Sequence, residues 1–270
     1  MKLGCGTVLF IQLDLYGALQ HIAWAGYEGA SLAYMANMAQ HIDLNTSQAY
    51  IDEVKSIAKK HGLKLFAIEA FFLAQPDDEK LKSMTKVFDI ALKLRIPVVA
   101  VRSEGKTNDK EATKQVLSYI RKLCELAEIR GIKIAVKPHV GHSFYNTATM
   151  IQLLNEINSP ALGVNLDSSN FYRGGDDPAE AVTKLGSKII HTHIRDTSSD
   201  RNQGRTPLEL QIAGRGVLDW PKIIRHLKDA GYQGVLDTQI IGAFDSPLSV
   251  QMGIAAEVRG YLHRCLQELI

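Results

Sequence analysis

A regular alternation of short apolar runs and helix-period segments is the feature that most constrains how this chain can fold. Eight such runs follow one another along the 270 residues, among them IPVVAV, IKIAV and KIIHTHI. Between them lie segments such as DKEATKQVLSYIRKLCELAEIRG, in which apolar residues recur every three or four positions, as on a helix with one buried face. Strands that alternate with helices predict a parallel sheet with crossover connections.

Eight is the number of strands that closes into a (β/α)8 barrel. We therefore predict an α/β fold, a (β/α)8 or TIM barrel, formed by a single domain that spans residues 1–270. An open doubly wound sheet is the alternative, but the first turn, LGCGTVLFIQ, lacks the third glycine that such a sheet favours. Asn108 with Glu111 is predicted to cap one helix, and Gly62 and Gly131 are predicted to end two others.

Composition excludes several classes of protein. A net charge of +2 gives no broad field for nucleic acid or an anionic membrane. No run approaches the roughly 20 apolar residues of a membrane span. The three cysteines, Cys5, Cys124 and Cys265, are widely spaced and form no metal-type pair, so free thiols in a reducing compartment are expected. We predict a cytoplasmic protein that binds neither nucleic acid nor a membrane.

Polar residues follow the predicted strands at the point where each strand ends. In a barrel of this kind the carboxyl ends of the strands carry the active site. Side chains two residues apart point the same way, so Lys137 and His139 share a direction, as do His191, His193 and Arg195. Any one of these residues could be a cap or a loop anchor, but their convergence from several strands predicts one ligand site. The set is Glu69, Arg102, Glu104, Lys137, His139, Asp167, Asn170, His191, His193, Arg195 and Gln239.

Four segments, in order along the chain, resemble the sugar phosphate isomerase/epimerase family, the xylose isomerase-like barrels. GYEGASL is similar to the second-strand signature, and LGVNLDSSNFYRGGDDP to the sixth-strand segment. IIHTHIRD resembles the seventh-strand motif, and GRGVLDWPKIIRHLKDAGYQGVLDTQIIG the closing segment. The resemblance covers nearly the whole chain. It implies a sugar-processing barrel that holds one divalent cation with two Glu, one Asp and one His.

The chain departs from the ligand set that the resemblance implies. Asp167 and His193 match the family's Asp and His, but Lys137 and Gln239 stand where the two Glu are expected. Asn170 also replaces a common His, and Ser31 replaces a frequent Glu. An ammonium repels a cation at about 4 Å, and hard divalent ions prefer several anionic oxygens. A Mn, Mg or Zn ion is therefore expected to bind weakly or not at all.

Three functions remain open at this stage. The first is proton transfer next to the carbonyl of a small sugar or keto-sugar, by isomerisation, epimerisation or β-elimination. The second is a Schiff-base lyase or aldolase that uses Lys137 as its nucleophile. The third is a degenerate barrel that binds a sugar or a partner subunit without turnover.

We assign roles to the candidate residues on the first of these functions. His139 and Lys137 are the predicted catalytic residues, and Asp167, His193 and His139 are the predicted metal ligands. Glu69, Asn170, Arg195 and Gln239 are predicted to bind the substrate. Arg195 and Asp196 could instead pair locally, and Arg201, Arg205 and Arg215 lie on a long loop that could close over a ligand. The expected partner is a small-molecule sugar, with a homo-oligomer or a hetero-oligomer left open.

Overall fold

Eight parallel strands form one closed sheet. The computed structural model describes residues 1–35, 39–71, 77–202 and 204–269. Each barrel strand pairs in parallel with the next, and the first strand pairs with both the second and the last, which closes the ring. A two-residue strand, β3, pairs antiparallel with β2 at the rim. The strands are β1 (Lys2–Gly6), β2 (Gly29–Met35), β3 (Ala39–Gln40), β4 (Lys64–Phe71), β5 (Val98–Arg102), β6 (Lys133–Lys137), β7 (Leu162–Asp167), β8 (Ile189–Ile194) and β9 (Val235–Thr238).

Helices connect the strands around the outside of the barrel, so the prediction of a (β/α)8 fold is confirmed. Gly62 and Gly131 take positive φ angles of 67° and 66°, as expected of residues that end helices. The predicted cap at Asn108 is wrong, because Asp109 accepts the hydrogen bonds from the first turn of α4. The helices are α1 (Leu15–Trp24), α2 (Gln48–Lys60), α3 (Asp77–Leu94), α4 (Lys110–Glu128), α5 (Thr147–Ile157), α6 (Ser168–Arg173), α7 (Pro178–Leu185), α8 (Trp220–Asp229) and α9 (Leu248–Gln267).

Most of the apolar core lies between the sheet and the helices, whereas the barrel interior is lined by small and polar residues. Ala67, Ala100 and Ala135 form a separate small cluster. A register shift between β7 and β8 adds one residue, Ile190, whose side chain fills the space beside Gly163. Small residues in the interior leave room above them for the long polar side chains of the rim.

No helix in the described part of the chain combines the length and the apolar character that crossing a bilayer needs.

Asp196 anchors the loop between β8 and α8. Its Oδ1 accepts from the backbone nitrogens of Thr197 (2.9 Å) and Leu218 (3.1 Å), and its Oδ2 from the nitrogen of Gly214 (3.0 Å) and the indole of Trp220 (2.9 Å). The side chain is fully buried. These contacts give Asp196 a structural role in the loop, but its partners are backbone and indole nitrogens, and Arg195 bonds to Asp167 instead.

Replacing Asp196 by alanine is expected to lower the free energy of unfolding by about 3 to 5 kcal/mol, because four buried donors lose a charged acceptor. Urea denaturation of the Asp196→Ala variant measures the change. Asp200→Ala, four residues further along the same loop and exposed, is the control and is expected to change it by less than about 0.5 kcal/mol. Equal effects of the two changes would contradict the anchoring role.

Candidate active site

The ammonium of Lys137 lies between two oxygen atoms that come from other strands. Lys137 ends β6, and its Nζ donates to Glu69 Oε1 and to Gln239 Oε1, each at 3.2 Å. Gln239 Nε2 donates in turn to Glu69 Oε2. These side chains come from β6, β4 and the residue after β9, and all are buried. Strand closure thus joins residues that are up to 170 positions apart in the sequence.

His193 and Asp167 continue this cluster on the neighbouring strands. His193 Nε2 lies 3.7 Å from Glu69 Oε2, and its Nδ1 lies 3.8 Å from Asp167 Oδ2. Arg195 NH2 donates to the same Asp167 oxygen at 3.1 Å. The other Asp167 oxygen accepts from Ser169 Oγ (2.6 Å) and from the Asn170 nitrogen (3.1 Å), where Asp167 caps α6. We call Glu69, Lys137, Asp167, His193 and Gln239 the rim cluster.

Both carboxylates of the rim cluster are ionised. Burial alone would raise the pKa of Glu69, but Lys137, His193 and the hydrogen bond from Gln239 lower it to about 2. Burial opposes ionisation of Asp167 too, and Arg195 with His193 holds its pKa well below the usual range. Burial lowers the pKa of His193, against the attraction of Glu69. The cluster therefore combines two carboxylates with an ammonium and an imidazole.

His139 lies beside the rim cluster and faces a cavity. Its Nδ1 is 2.9 Å from the Val140 carbonyl oxygen, which can only accept, so Nδ1 carries the proton and Nε2 keeps its lone pair. The ring stacks on His142 at 4.4 Å between centroids. Burial, then His142 and Arg102, lowers the pKa of His139 to about 3. The imidazole is accordingly neutral at neutral pH.

Asn170, a predicted substrate-binding residue, is fully buried below the rim. Neither polar atom of its side chain has a hydrogen-bond partner among the described residues, and the same holds for Ser31 Oγ. These two residues stand where the family resemblance implied His and Glu. Their roles stay predictions.

A cavity of about 380 Å³ opens next to the rim cluster. His139 and Arg195 line it, together with residues that follow β7, β8 and β9. This volume is within the range of about 300–1,000 Å³ that small-molecule sites occupy. The full lining is His139, Ser169, Arg173, Arg195, Gly204, Arg205, Thr206, Gln211 and Ile241.

The rim cluster does not fit a divalent cation. The Lys137 ammonium lies within hydrogen-bond distance of two of the oxygens that would bind the ion. Both oxygens of Asp167 are engaged by Arg195, Ser169 and a backbone nitrogen. A cation at this position would meet a fixed positive charge at close range. The metal-ligand roles of Asp167, His193 and His139 stay predictions.

A second donor group lies one layer deeper in the barrel. His191, His193 and Asp237 place one ligand atom each within 4.8 Å of one another. His191 Nε2 lies 3.3 Å from Asp237 Oδ2, and neither atom nor Asp237 Oδ1 makes a hydrogen bond in the described chain. Two imidazoles and a carboxylate fit a transition metal such as zinc. All three are at most 1% exposed, so an ion there would be enclosed by the protein.

Two residues beside the predicted site, Arg173 and Asn165, were not named from the sequence. Arg173, at the end of α6, was not predicted, although it closely follows the strand that carries Asp167. Asn165 was also missed, and its Nδ2 lies 3.1 Å from His193 Nε2. Asn165 precedes Asp167 by two residues on β7, so strand alternation could have indicated it.

Comparison with known proteins gives the same fold. The xylose isomerase-like TIM barrel family model matches residues 19–244. The chain belongs to that family, so the resemblance inferred from the four motifs is confirmed. Members of the family typically hold a divalent metal.

Relatives and solved structures cover most of the chain at low identity. Inosose isomerase of Halalkalibacterium halodurans is 24% identical over 84% of this chain and 83% of its own length. D-psicose 3-epimerase of Enterocloster bolteae is 24% identical over 71% of this chain and 66% of its own. The structure of a xylose isomerase domain protein from Alicyclobacillus acidocaldarius has a TM-score of 0.81 at 17% identity, over 99% of this chain and 98% of that one.

Proposed function

We propose that this protein is an isomerase- or epimerase-like enzyme that moves a proton at the carbon next to the carbonyl of a small sugar or keto-sugar. The observation that carries the proposal is the buried Lys137 ammonium, held by Glu69 and Gln239 beside His193. The names of the relatives, an inosose isomerase and a D-psicose 3-epimerase, support the same class of reaction.

Lys137 is the group that stabilises the developing enolate oxygen. Removing a proton next to a carbonyl places negative charge on that oxygen, and a fixed donor in a site with little water stabilises it strongly. Glu69 and Gln239 hold the ammonium in position before the substrate arrives. The substrate oxygen replaces the Gln239 oxygen as one acceptor of Lys137, while Glu69 keeps the other contact.

His139 is the proposed base. Its unprotonated Nε2 belongs to a side chain that lines the cavity, and Lys137 lies two residues earlier on the same stretch. The fixed tautomer leaves this nitrogen free to accept a proton. Burial, then His142, Arg102 and Lys137, disfavour the imidazolium in the free protein, and the negative charge of the enolate favours it during reaction.

The pH dependence of kcat/KM tests this assignment. A base with a pKa of about 3 stays unprotonated until the pH falls far below the ordinary value of 6.5. We therefore expect kcat/KM to stay flat from about pH 8 to about pH 5, since this parameter reports the pKa values of the free enzyme. A loss of activity centred near pH 6.5 would contradict the assignment.

The proposed reaction has a direct assay. Protein in D2O is mixed with a panel of ketoses and inososes, and NMR follows loss of the proton next to the carbonyl. We expect exchange in at least one sugar, abolished by His139→Gln. No exchange across the panel, with sugar binding retained, would favour the degenerate barrel instead.

The Schiff-base function makes a different prediction. An imine requires the neutral amine of Lys137, and the contact with the Glu69 carboxylate stabilises the ammonium, which is not a nucleophile. We therefore expect no covalent adduct on Lys137 after borohydride treatment with a reactive ketose. Adduct formation found by peptide mass spectrometry would replace enolisation by the imine route.

We also propose the cellular compartment of the protein and the residues that would hold a metal ion. Three buried cysteines without disulfides support a reducing, cytoplasmic setting.

His191, His193 and Asp237 would hold an ion of the zinc or manganese type, and its charge would act on the barrel interior below the rim. No step of the proposed reaction depends on it. The oligomeric state, homo- or hetero-oligomer, stays a prediction.

A further inference from the structure

The cavity beside the rim cluster is lined by three arginines, Arg173, Arg195 and Arg205. They come from three places in the chain, which are the end of α6, the residue after β8 and the following loop. His139, Ser169 and Thr206 add further polar groups to the lining. No acidic residue belongs to the described lining. The barrel therefore gathers guanidinium groups around one cavity.

The three cavity arginines make different contacts. Arg195 bonds to Asp167, and its Nε donates to Ser169 Oγ at 3.0 Å. Burial and the neighbouring charge of Arg195 lower the pKa of Arg173, with Asp167 and then Asp200 acting against them. Arg205 is exposed and lies over the ring of Phe244, 5.8 Å from its centroid. Arg173 and Arg195 thus repel each other, and Asp167 offsets part of that repulsion.

The arginines line the same cavity as His139, the proposed base. Arg195 shares Asp167 Oδ2 with His193, whose ring lies 3.8 Å from that oxygen. His139, the proposed base, lines the cavity itself. A ligand that contacts the arginines would thus also reach His139, and Lys137 lies two residues before His139 in the chain.

From this geometry we infer that the substrate is an anionic sugar, whose carboxylate or phosphate group binds Arg173, Arg195 and Arg205. This inference rests on the proposed function for the other end of the molecule. Planar guanidinium groups match carboxylate and phosphate oxygens in pairs, which makes arginine suited to this recognition.

The first experiment measures the anion subsite without any sugar. Isothermal titration calorimetry with inorganic phosphate and with acetate is run on the wild-type protein, Arg173→Gln, Arg205→Gln and the control Arg215→Gln. Arg215 is exposed and pairs with Glu257 away from the cavity. We expect binding of at least one anion to weaken about 10- to 100-fold in the first two variants. The control is expected to bind like the wild type.

The preferred probe tells which anion the subsite takes, phosphate or carboxylate. No binding of either anion at 50 mM to the wild-type protein overturns the inference, as does equal binding by all four proteins. Circular dichroism melts exclude misfolding as the cause of weaker binding.

A second experiment separates this inference from the proposed function. D-fructose, D-fructose 6-phosphate and D-fructuronate are compared for binding and for proton exchange in D2O. We expect an anionic sugar to bind at least about 100-fold more tightly than fructose, a difference of about 2.7 kcal/mol. Tight, arginine-dependent binding without exchange would leave the subsite standing and reject the proposed reaction. Exchange in fructose as fast as in both anionic sugars would reject the subsite and keep the reaction.

Discussion

Replacing Lys137 by methionine is expected to slow proton exchange next to the substrate carbonyl by about 100- to 1,000-fold, the usual cost of removing one preorganised donor to an oxyanion. Methionine keeps much of the side-chain length and removes the charge. The ammonium that bonds Glu69 and Gln239 in the free protein is then missing when the enolate forms. NMR of the exchange reaction in D2O, at saturating sugar, measures the rate.

Lys133→Met is the matched control. Lys133 lies on the same strand, β6, four residues earlier, and its exposed side chain donates to the Pro160 carbonyl at the far end of the barrel. We expect the exchange rate of this variant to equal that of the wild type. A Lys137→Met variant that retains more than about a third of the wild-type rate would remove Lys137 from the chemistry.

Lys137→Met is also expected to destabilise the fold, because it leaves the Glu69 carboxylate buried without its partner. The double variant Lys137→Met, Glu69→Gln removes that uncompensated charge. We expect it to recover most of the lost thermal stability but none of the lost rate. Recovery of both would show that the single variant lost activity only by misfolding.

Replacing Lys137 by glutamate is expected to tighten Mn²⁺ binding by at least about 100-fold, or about 2.7 kcal/mol. The change removes a positive charge and adds a carboxylate beside Glu69, Asp167 and His193. Several anionic oxygens and an imidazole are a suitable ligand set for Mn²⁺. Without metal the clustered carboxylates repel one another, so the melting temperature should fall and then recover when Mn²⁺ is added.

Lys137→Gln is the control for this experiment, since it removes the ammonium without adding a carboxylate. We expect it to bind Mn²⁺ more weakly than Lys137→Glu does. Its melting temperature should not change when Mn²⁺ is added. Asp237→Asn in the Lys137→Glu background removes the deeper donor group and should leave the new binding unchanged. Loss of binding in that double variant would place the ion at the deeper site.

The fold could be predicted from the sequence because two periodicities alternate eight times along the chain. Strand alternation also predicted that polar side chains meet at the carboxyl end of the barrel. Glu69, Lys137 and Gln239 were each named on that basis, and the structure joins them by hydrogen bonds. In a barrel, naming such residues needs only the order of the strands and the direction of alternate side chains.

What could not be predicted is which of these side chains touch. The contact of Lys137 with Glu69 depends on the tilt and stagger of strands that do not follow each other in the sequence. The register shift that adds Ile190 to β8 has no distinct sequence signal. Arg173 reaches the cavity from the short helix α6, and the position of such a helix depends on the packing around it.

The capping residue of α4 is another feature that the sequence does not determine. Asn108 and Asp109 are both good capping residues, and the sequence does not distinguish them. In the structure Asn108 takes a positive φ of 63°, and Asp109 follows as the cap. A difference of one residue at a helix end is set by the loop geometry before it.

The most direct test of the account is a crystal structure of the wild-type protein soaked in Mn²⁺, with anomalous scattering recorded to locate the ion. We expect density for the Lys137 amine between Glu69 and Gln239, and no anomalous peak within bonding distance of Glu69, Asp167 or Gln239. A peak confined to His191, His193 and Asp237 agrees with the account. A Mn²⁺ ion bound by Asp167 and His193 at the rim, with Lys137 turned away, would contradict it.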